Sequence, residues 1–275
     1  SAPANISGSM SAIDKINNTI VISGAYGLIY KSTDNGNSWS SLTVSIHKGY
    51  LQGLYAFSMS GKVWAVGEAA PYSVLYSSNG GNTWSNNFGG ARTENLRDVK
   101  FLSDNTGYMC GEGGAVLRTS NGGLNWTSIP PLTIQAANCI DIPDSNTVLI
   151  GCNAGLLYRS TNSGLNFTLS TVGTNTQQFN GLSFINGNTG WATMSRSILK
   201  TTNNGINWVT QFTHSTTLLS IDMCDENTGY ACGYSGSLFK TTNGGVNWIQ
   251  KPSQIPYNLT RIDFVNINSG FAVSG

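Results

Sequence analysis

The chain has 275 residues, 14 Lys and Arg against 13 Asp and Glu, two His, and a formal net charge of +1. Only 10% of it is charged, against ~25% in an average soluble protein, so Asn, Thr, Ser and Gly supply its polarity. That balance argues against nucleic acid or an anionic membrane surface as partner, because both reward clustered Lys and Arg, and no stretch approaches the ~20 apolar residues of a transmembrane helix.

In chain order, one cassette recurs. It runs from Ser32 to Trp39, Ser77 to Trp84, Thr119 to Trp126, Ser160 to Phe167, Thr201 to Trp208 and Thr241 to Trp248, so its aromatic closers fall at intervals of 40 to 45 residues. Internal periods of this size mean a solenoid, a propeller or an array. Before each cassette comes a strand with one bulky residue: Val21, Trp64, Tyr108, Leu149, Trp191, Tyr230 and, in a seventh partial copy, Phe271. Further upstream lies an alternating apolar pair, such as Val99/Phe101, Ile140/Ile142 or Ile262/Phe264. Period-two alternation bounded by Asn, Gly, Ser and Asp is the hairpin pattern. Each repeat therefore reads as four short antiparallel strands, A to D, which is a propeller blade.

The whole repeats span about 10–46, 50–90, 95–133, 137–173, 178–214 and 217–254, and residues 258–275 supply strands A and B of a seventh. The expectation is a single all-β domain over residues 1–275, a seven-bladed β-propeller with an incomplete last blade. Six blades plus a hairpin is the alternative. Residues 1–9, a partner domain or a neighbouring subunit are candidates for completing that blade, because an open sheet edge recruits strands.

Within the cassette the chain reverses in about four residues, which requires a positive φ that Gly adopts without a Cβ penalty. Gly36, Gly81, Gly123, Gly164, Gly205 and Gly245 fill that slot. Asp34, Asn79, Asn121, Asn162, Asn203 and Asn243 are the expected clasps, since an Asx side chain accepts hydrogen bonds from amides just ahead of it. Trp39, Trp84, Trp126, Phe167, Trp208 and Trp248 then pack into the blade. Five basic residues, Lys31, Arg118, Arg159, Lys200 and Lys240, share one repeat position and are spread around the ring.

SerXaaAspXaaGlyXaaXaaTrp resembles the Asp-box, or BNR, repeat, and residues 229–248 resemble the repeat of the photosystem II stability and assembly factor-like propellers. Five of the six boxes carry Asn where that motif has Asp. The resemblance implies the propeller fold. It leaves function open, because the fold hosts many functions.

Ligands of propellers gather on the face formed by the B/C and D/A links, opposite the cassettes. Candidate rim residues there are Tyr26, His47, Tyr50, Tyr72, Arg92, Glu94, Gln177, Arg196, His214, Tyr234 and Tyr257. Glu68 and Glu112 take the same B/C position in adjacent blades, and two carboxylates across a cleft are what glycoside hydrolysis needs. Solvated rim carboxylates are the plainer reading. Sialidases share the box but need an arginine trio; outside the repeat position this chain has Arg92, Arg97, Arg196 and Arg261, without an ArgIlePro-type signature. His47 and His214 have no metal-ligand neighbours in sequence, so neither metal nor cofactor is expected.

The five cysteines match no zinc spacing. Cys110 and Cys232 read as buried apolar fillers. If Phe101 faces Tyr108, the fourth repeat sets Cys139 opposite Cys152, where either a disulfide or two thiols fit. The charge-poor surface and the SerAlaProAlaAsn start, read as a terminus left by cleavage, suggest an extracytoplasmic bacterial protein. The leading functional expectation is a noncatalytic binding or scaffold module, presenting link loops to a protein or glycan partner, or built into a larger cell-surface assembly. A glycoside hydrolase using Glu68 and Glu112 is one alternative. A photosystem-type assembly factor, implied by the family resemblance alone, is the other.

Overall fold

A computed structural model describes residues 8–16, 18–44, 49–56, 61–68, 73–86, 94–253 and 255–275. Blade one is β1 (Met10–Ile16), β2 (Thr19–Gly24), β3 (Leu28–Ser32) and β4 (Ser40–Thr43), hydrogen-bonded in that order. Blade two holds β5 (Leu51–Ala56), β6 (Val63–Gly67) and β7 (Val74–Ser77), with a single bridge from Tyr76 to Ser85 where a fourth strand would lie. Blade three contains β8 (Leu96–Phe101), β9 (Gly107–Gly111), β10 (Val116–Thr119) and β11 (Thr127–Ile129). Blade four is β12 (Ala137–Asp141), β13 (Val148–Cys152), β14 (Leu156–Ser160) and β15 (Thr168–Thr171). Blade five is β16 (Phe179–Phe184), β17 (Gly190–Met194), β18 (Ser197–Thr201) and β19 (Val209–Thr213). Blade six is β20 (Leu218–Met223), β21 (Gly229–Gly233), β22 (Leu238–Thr241) and β23 (Ile249–Gln250). A separate two-stranded sheet follows, β24 (Leu259–Asn266) with β25 (Ser269–Ser274).

The expected seven blades are thus six blades and a hairpin. Residues 258–275 form the A and B strands of a seventh repeat and pair with each other. The hairpin still occupies a seventh sector, since β24 packs against both β20 and β1. Thr260 Oγ1 donates to the Met10 carbonyl at 3.0 Å, joining the last inner strand to the first. Residues 1–7, to which much of the expected closing strand belongs, lie outside the described residues.

Position in the blade decides composition. The second strand of a blade is covered on both faces by neighbouring blades, so β6, β9, β13 and β17 are buried at every residue and read as apolar runs. The fourth strand is the outer edge, and β4 and β15 are exposed throughout. Each inner strand carries a bulge near its start, as between Leu96 and Asp98 or Ala137 and Cys139. The A/B turn sets the register one step away from the one expected, with Phe101 facing Gly107 and Lys100 facing Tyr108, and the bulge lies beyond these pairs at the far end of the strand.

The same step removes the Cys139–Cys152 pairing. Cys139 faces Gly151 and Ala137 faces Cys152, and a one-residue slip sends a side chain to the opposite sheet face. The two sulfurs enter different core clusters and are free thiols. Cys110 and Cys232 are fully buried.

The cassettes are closed by two side chains working together. In blade five the Thr201 hydroxyl donates to Asn203 Oδ1 at 3.0 Å and accepts from the Gly205 amide at 3.1 Å, while Asn203 Oδ1 accepts from the Asn207 amide at 2.9 Å. Ser32, Ser77, Thr119, Ser160 and Thr241 make the corresponding bonds in their blades. An Asn carbonyl oxygen accepts these bonds as a carboxylate does, so Asn substitutes for Asp without opening the turn. Trp39, Trp84 and Trp208 donate their indole N–H to the box glycine carbonyl at 3.0–3.1 Å. At Gly123, φ is +83° and a Cβ would overlap the Trp64 ring of the preceding blade; close packing and a left-handed backbone both demand glycine there.

Candidate functional site

Where inner strands of adjacent blades meet, no backbone ladder joins them, so their polar groups turn to side chains. At the upper end of the channel the side chains act as donors. Asn138 Nδ2 donates to the Phe179 carbonyl at 2.8 Å, Asn180 Nδ2 to Leu218 at 2.7 Å, and Ser11 Oγ to Leu51. Lower down they act as acceptors. Asp98 takes the Ile140 amide at 2.8 Å, Asp14 that of Ala56 at 2.8 Å, Asp141 that of Phe184 at 2.6 Å, and Asp222 that of Phe264 at 2.7 Å. Buried amides need partners, and these side chains staple blade to blade.

The lower layer encloses a cavity of about 220 Å³ lined by Asp14, Tyr55, Lys100, Asp141, Asp222 and Asp263, among others. Lys100 Nζ lies 3.0 Å from Asp141, whose charge raises the lysine's pKa. Arg261 crosses from the hairpin to Asp98 of blade three at 2.7 Å. Burial raises Asp14 to about 6. Burial, followed by the charges of Asp14 and Asp222, raises Asp263 to about 8. Asp222 is also raised by burial. No group of His, Cys, Asp and Glu among the described residues could hold a metal ion.

Above this layer the channel opens into a mouth of about 460 Å³, lined by Tyr50, Gln52, Arg97, Asn138, Asn180 and Tyr234 among others. Arg97 donates to Asn138 Oδ1 at 2.6 Å and pairs with Glu112 at 3.2 Å, while its Nε is buried with no acceptor among the described residues. Tyr50 and Tyr234 are partly exposed at the edge, and Tyr26 stands 6.2 Å from Tyr50, ring centre to ring centre.

The structure divides the rim candidates. Tyr50 and Tyr234 line the mouth, with Tyr26 beside Tyr50. Tyr257 is 70% exposed outside it, and Glu94 is half-buried just before β8. Gln177 and Arg196 border a separate cleft of about 540 Å³, where Gln177 Oε1 accepts the Thr174 amide at 2.8 Å. His214 Nδ1 accepts the Thr216 amide at 3.2 Å, and its ring sits against Phe239 and Phe212. These contacts make His214 a loop clasp. His47, Tyr72 and Arg92 lie outside the described residues.

Glu68 and Glu112 are each engaged within their own surroundings. Glu68 Oε2 accepts the Tyr50 amide at 3.1 Å, and Glu112 holds Arg97 and Asn95. Trp64 and Trp191 are fully buried, and the other five tryptophans pack against blade cores; none forms a sugar platform at the mouth.

The stapling side chains escaped the sequence reading, which followed only the apolar members of the A strands. A signal was present: Asp14, Asp98, Asp141, Asp222 and Asp263, five of 13 acidic residues, fall on inner strands otherwise read as core.

Comparisons with known proteins agree with this geometry. The family described as photosynthesis system II assembly factor YCF48 matches residues 44–120. YCF48 from Cyanidioschyzon merolae superposes with a TM-score of 0.81 at 19% identity, covering 100% of this chain and 95% of that one. YCF48 bound to D1 peptide gives 0.79 at 20% identity, covering 97% and 90%. An ancestral GH74 enzyme gives 0.74 at 16% identity, with 97% of this chain on 43% of that one. No curated protein sequence matches. The chain therefore resembles the YCF48 propellers in repeat and in fold.

Proposed function

We propose that this chain is a noncatalytic propeller that binds an extended segment of a partner protein across the channel mouth, in the manner of an assembly factor. The observation that carries the reading is the composition of that mouth. Amide side chains (Gln52, Asn138, Asn180), the Arg97 guanidinium and the tyrosines Tyr50 and Tyr234 converge on one concavity of about 460 Å³. Amides pair with peptide backbone, a guanidinium with a carboxylate, and tyrosines add contact area with a polar end. That a YCF48 structure is described as bound to D1 peptide supports a peptide as the ligand class. A hydrolytic reading loses ground because Glu68 and Glu112 are held in local pairs. A glycan partner loses ground because the tryptophans are structural. An extracytoplasmic location belongs to the same proposal, on the strength of the charge-poor composition.

The test is a titration of a D1 peptide, followed by an array of unrelated peptides, against the wild type and the Arg97→Ala and Tyr234→Ala variants. Saturable binding weakened at least tenfold by both substitutions is expected. Failure of every peptide to bind, or binding indifferent to both changes, would refute the mouth as the site.

A further inference from the structure

The residue admitted by the bulge of each inner strand lines the mouth, and in four sectors its side chain is spent on the sector that follows. Ser11 donates to the Leu51 carbonyl, Asn138 to Phe179, Asn180 to Leu218 and Thr260 to Met10. Gln52 fills the same slot on β5 without such a bond, so its amide is uncommitted among the described residues. In the slot on neighbouring β8, Arg97 keeps a buried Nε with no acceptor among the described residues. The acceptors nearby are taken: Glu68 by the Tyr50 amide, Glu112 by Arg97 and Asn95, and Asn138 Oδ1 by Arg97. This side of the mouth has donors to offer while its carboxylates are already engaged.

Two tyrosines stand at the same edge. Tyr50 leads into β5 just ahead of Gln52, and the Tyr26 ring lies 6.2 Å from the Tyr50 ring with the planes at 39°. Tyr26 is 72% exposed and sits at φ +56°, in the left-handed region. Strand pairing aligns that turn position with Gly113, Ala154 and Ser235 of other blades, all at positive φ and all small. A bulky side chain is disfavoured in this backbone state, and with most of its surface in water the Tyr26 ring gains the fold little burial in return. Backbone strain of this kind gathers where a ligand is held.

Resting on the reading of the mouth as a peptide site, we propose that Tyr26, Tyr50 and Gln52 form its specificity edge and hold a proline of the partner segment in the polyproline II conformation. Proline brings a flat hydrocarbon ring to the tyrosines and has no N–H, which suits an edge whose carboxylates are engaged. A polyproline II segment makes no internal hydrogen bonds, so its carbonyls are free to accept from the Gln52 amide and from Arg97 Nε. Aromatic-lined grooves take such segments because their conformation is formed before binding. A segment without proline would bring an N–H to each position and find its acceptors occupied.

The probe is an uncharged peptide blocked at both ends, acetyl-Ser-Pro-Pro-Ala-Pro-Pro-Ser-amide, titrated beside its counterpart with alanine at every proline. The chain is used as wild type, Tyr26→Gly, Tyr26→Phe, Gln52→Ala and Tyr234→Ala, with the thermal midpoint of each. The wild type is expected to bind the proline peptide about tenfold tighter than the alanine one. Tyr26→Gly should erase most of that preference and leave the midpoint unchanged, since glycine adopts a positive φ freely. Tyr26→Phe should keep the preference, and Gln52→Ala should weaken proline-peptide binding about fivefold. Equal affinity for the two peptides, or a preference that survives Tyr26→Gly, overturns the proposal. So does a Tyr26→Gly variant that melts well below wild type, which would make the ring a part of the fold. If the proline peptide fails while D1 or another peptide binds and depends on Tyr234, this inference falls and the mouth stands as the site; if no peptide binds, both fall.

Discussion

The acidic cluster at the ring seam makes stability fall as pH rises. Asp14 lies on β1 and Asp263 on β24, the strands that meet where the ring closes. Both carboxyls are raised by burial, to about 6 and about 8, above the ordinary aspartate value of 3.8. Between pH 4 and 8 the folded chain retains protons that the unfolded chain has released, so folding is favoured on the acidic side. That contribution is full below about pH 4 and gone above about pH 8. At ~1.4 kcal/mol per pKa unit the full span for Asp263, from 3.8 to about 8, is on the order of 6 kcal/mol. The assay is urea unfolding of the wild type and Asp263→Asn at pH 4.5, 6, 7 and 8. Wild-type midpoints should fall across that range, while Asp263→Asn, fixed neutral, should be more stable than wild type at pH 8 and equal to it at pH 4.5. The carboxyls held low by turn hydrogen bonds, Asp34 and Asp225 among them, lose their contribution only below about pH 4 and do not mask this window. A wild type that gains stability steadily from pH 5 to 8, or an Asp263→Asn variant equally destabilised at every pH, would refute the reasoning.

Other outcomes follow from the same geometry. Thr201→Ala removes the hydroxyl that both caps Asn203 and takes the Gly205 amide; it should cost about 1–3 kcal/mol in urea unfolding, and Thr201→Ser should recover most of it. Gly123→Ala would drive a Cβ into the Trp64 ring at a left-handed φ, whereas Gly113→Ala meets nothing within 4 Å at a similar φ. Thermal melts should therefore show a much larger loss for the first. Reduction should leave the mass of the native protein unchanged, and thiol reagent under native conditions should reach Cys224 first, since Cys110, Cys139, Cys152 and Cys232 are buried. Two hydrogens gained on reduction would contradict the register of β12 with β13.

The repeat carried much of the fold into the sequence. A box of fixed length with Gly and a terminal aromatic is a local device: its hydrogen bonds run between residues two to four apart, so its pattern is written in adjacent letters. The alternation of the strands is equally local. The register of each inner hairpin is not, because the length of the A/B turn is fixed only where the two strands pair; hence Cys139 faces Gly151 in place of the expected Cys152.

The candidate site divides along the same line. Tyr50 and Tyr234 could be named from their place in the links, but Arg97, Asn138 and Asn180 stand on inner strands, and only the closing of the ring turns those strands toward a common mouth. Likewise the charge pattern of Asp98 and Arg261 means nothing at 163 residues' separation until the hairpin is seated across the channel from blade three. Local chemistry set the blades; what faces the channel depended on contacts between residues far apart in the chain.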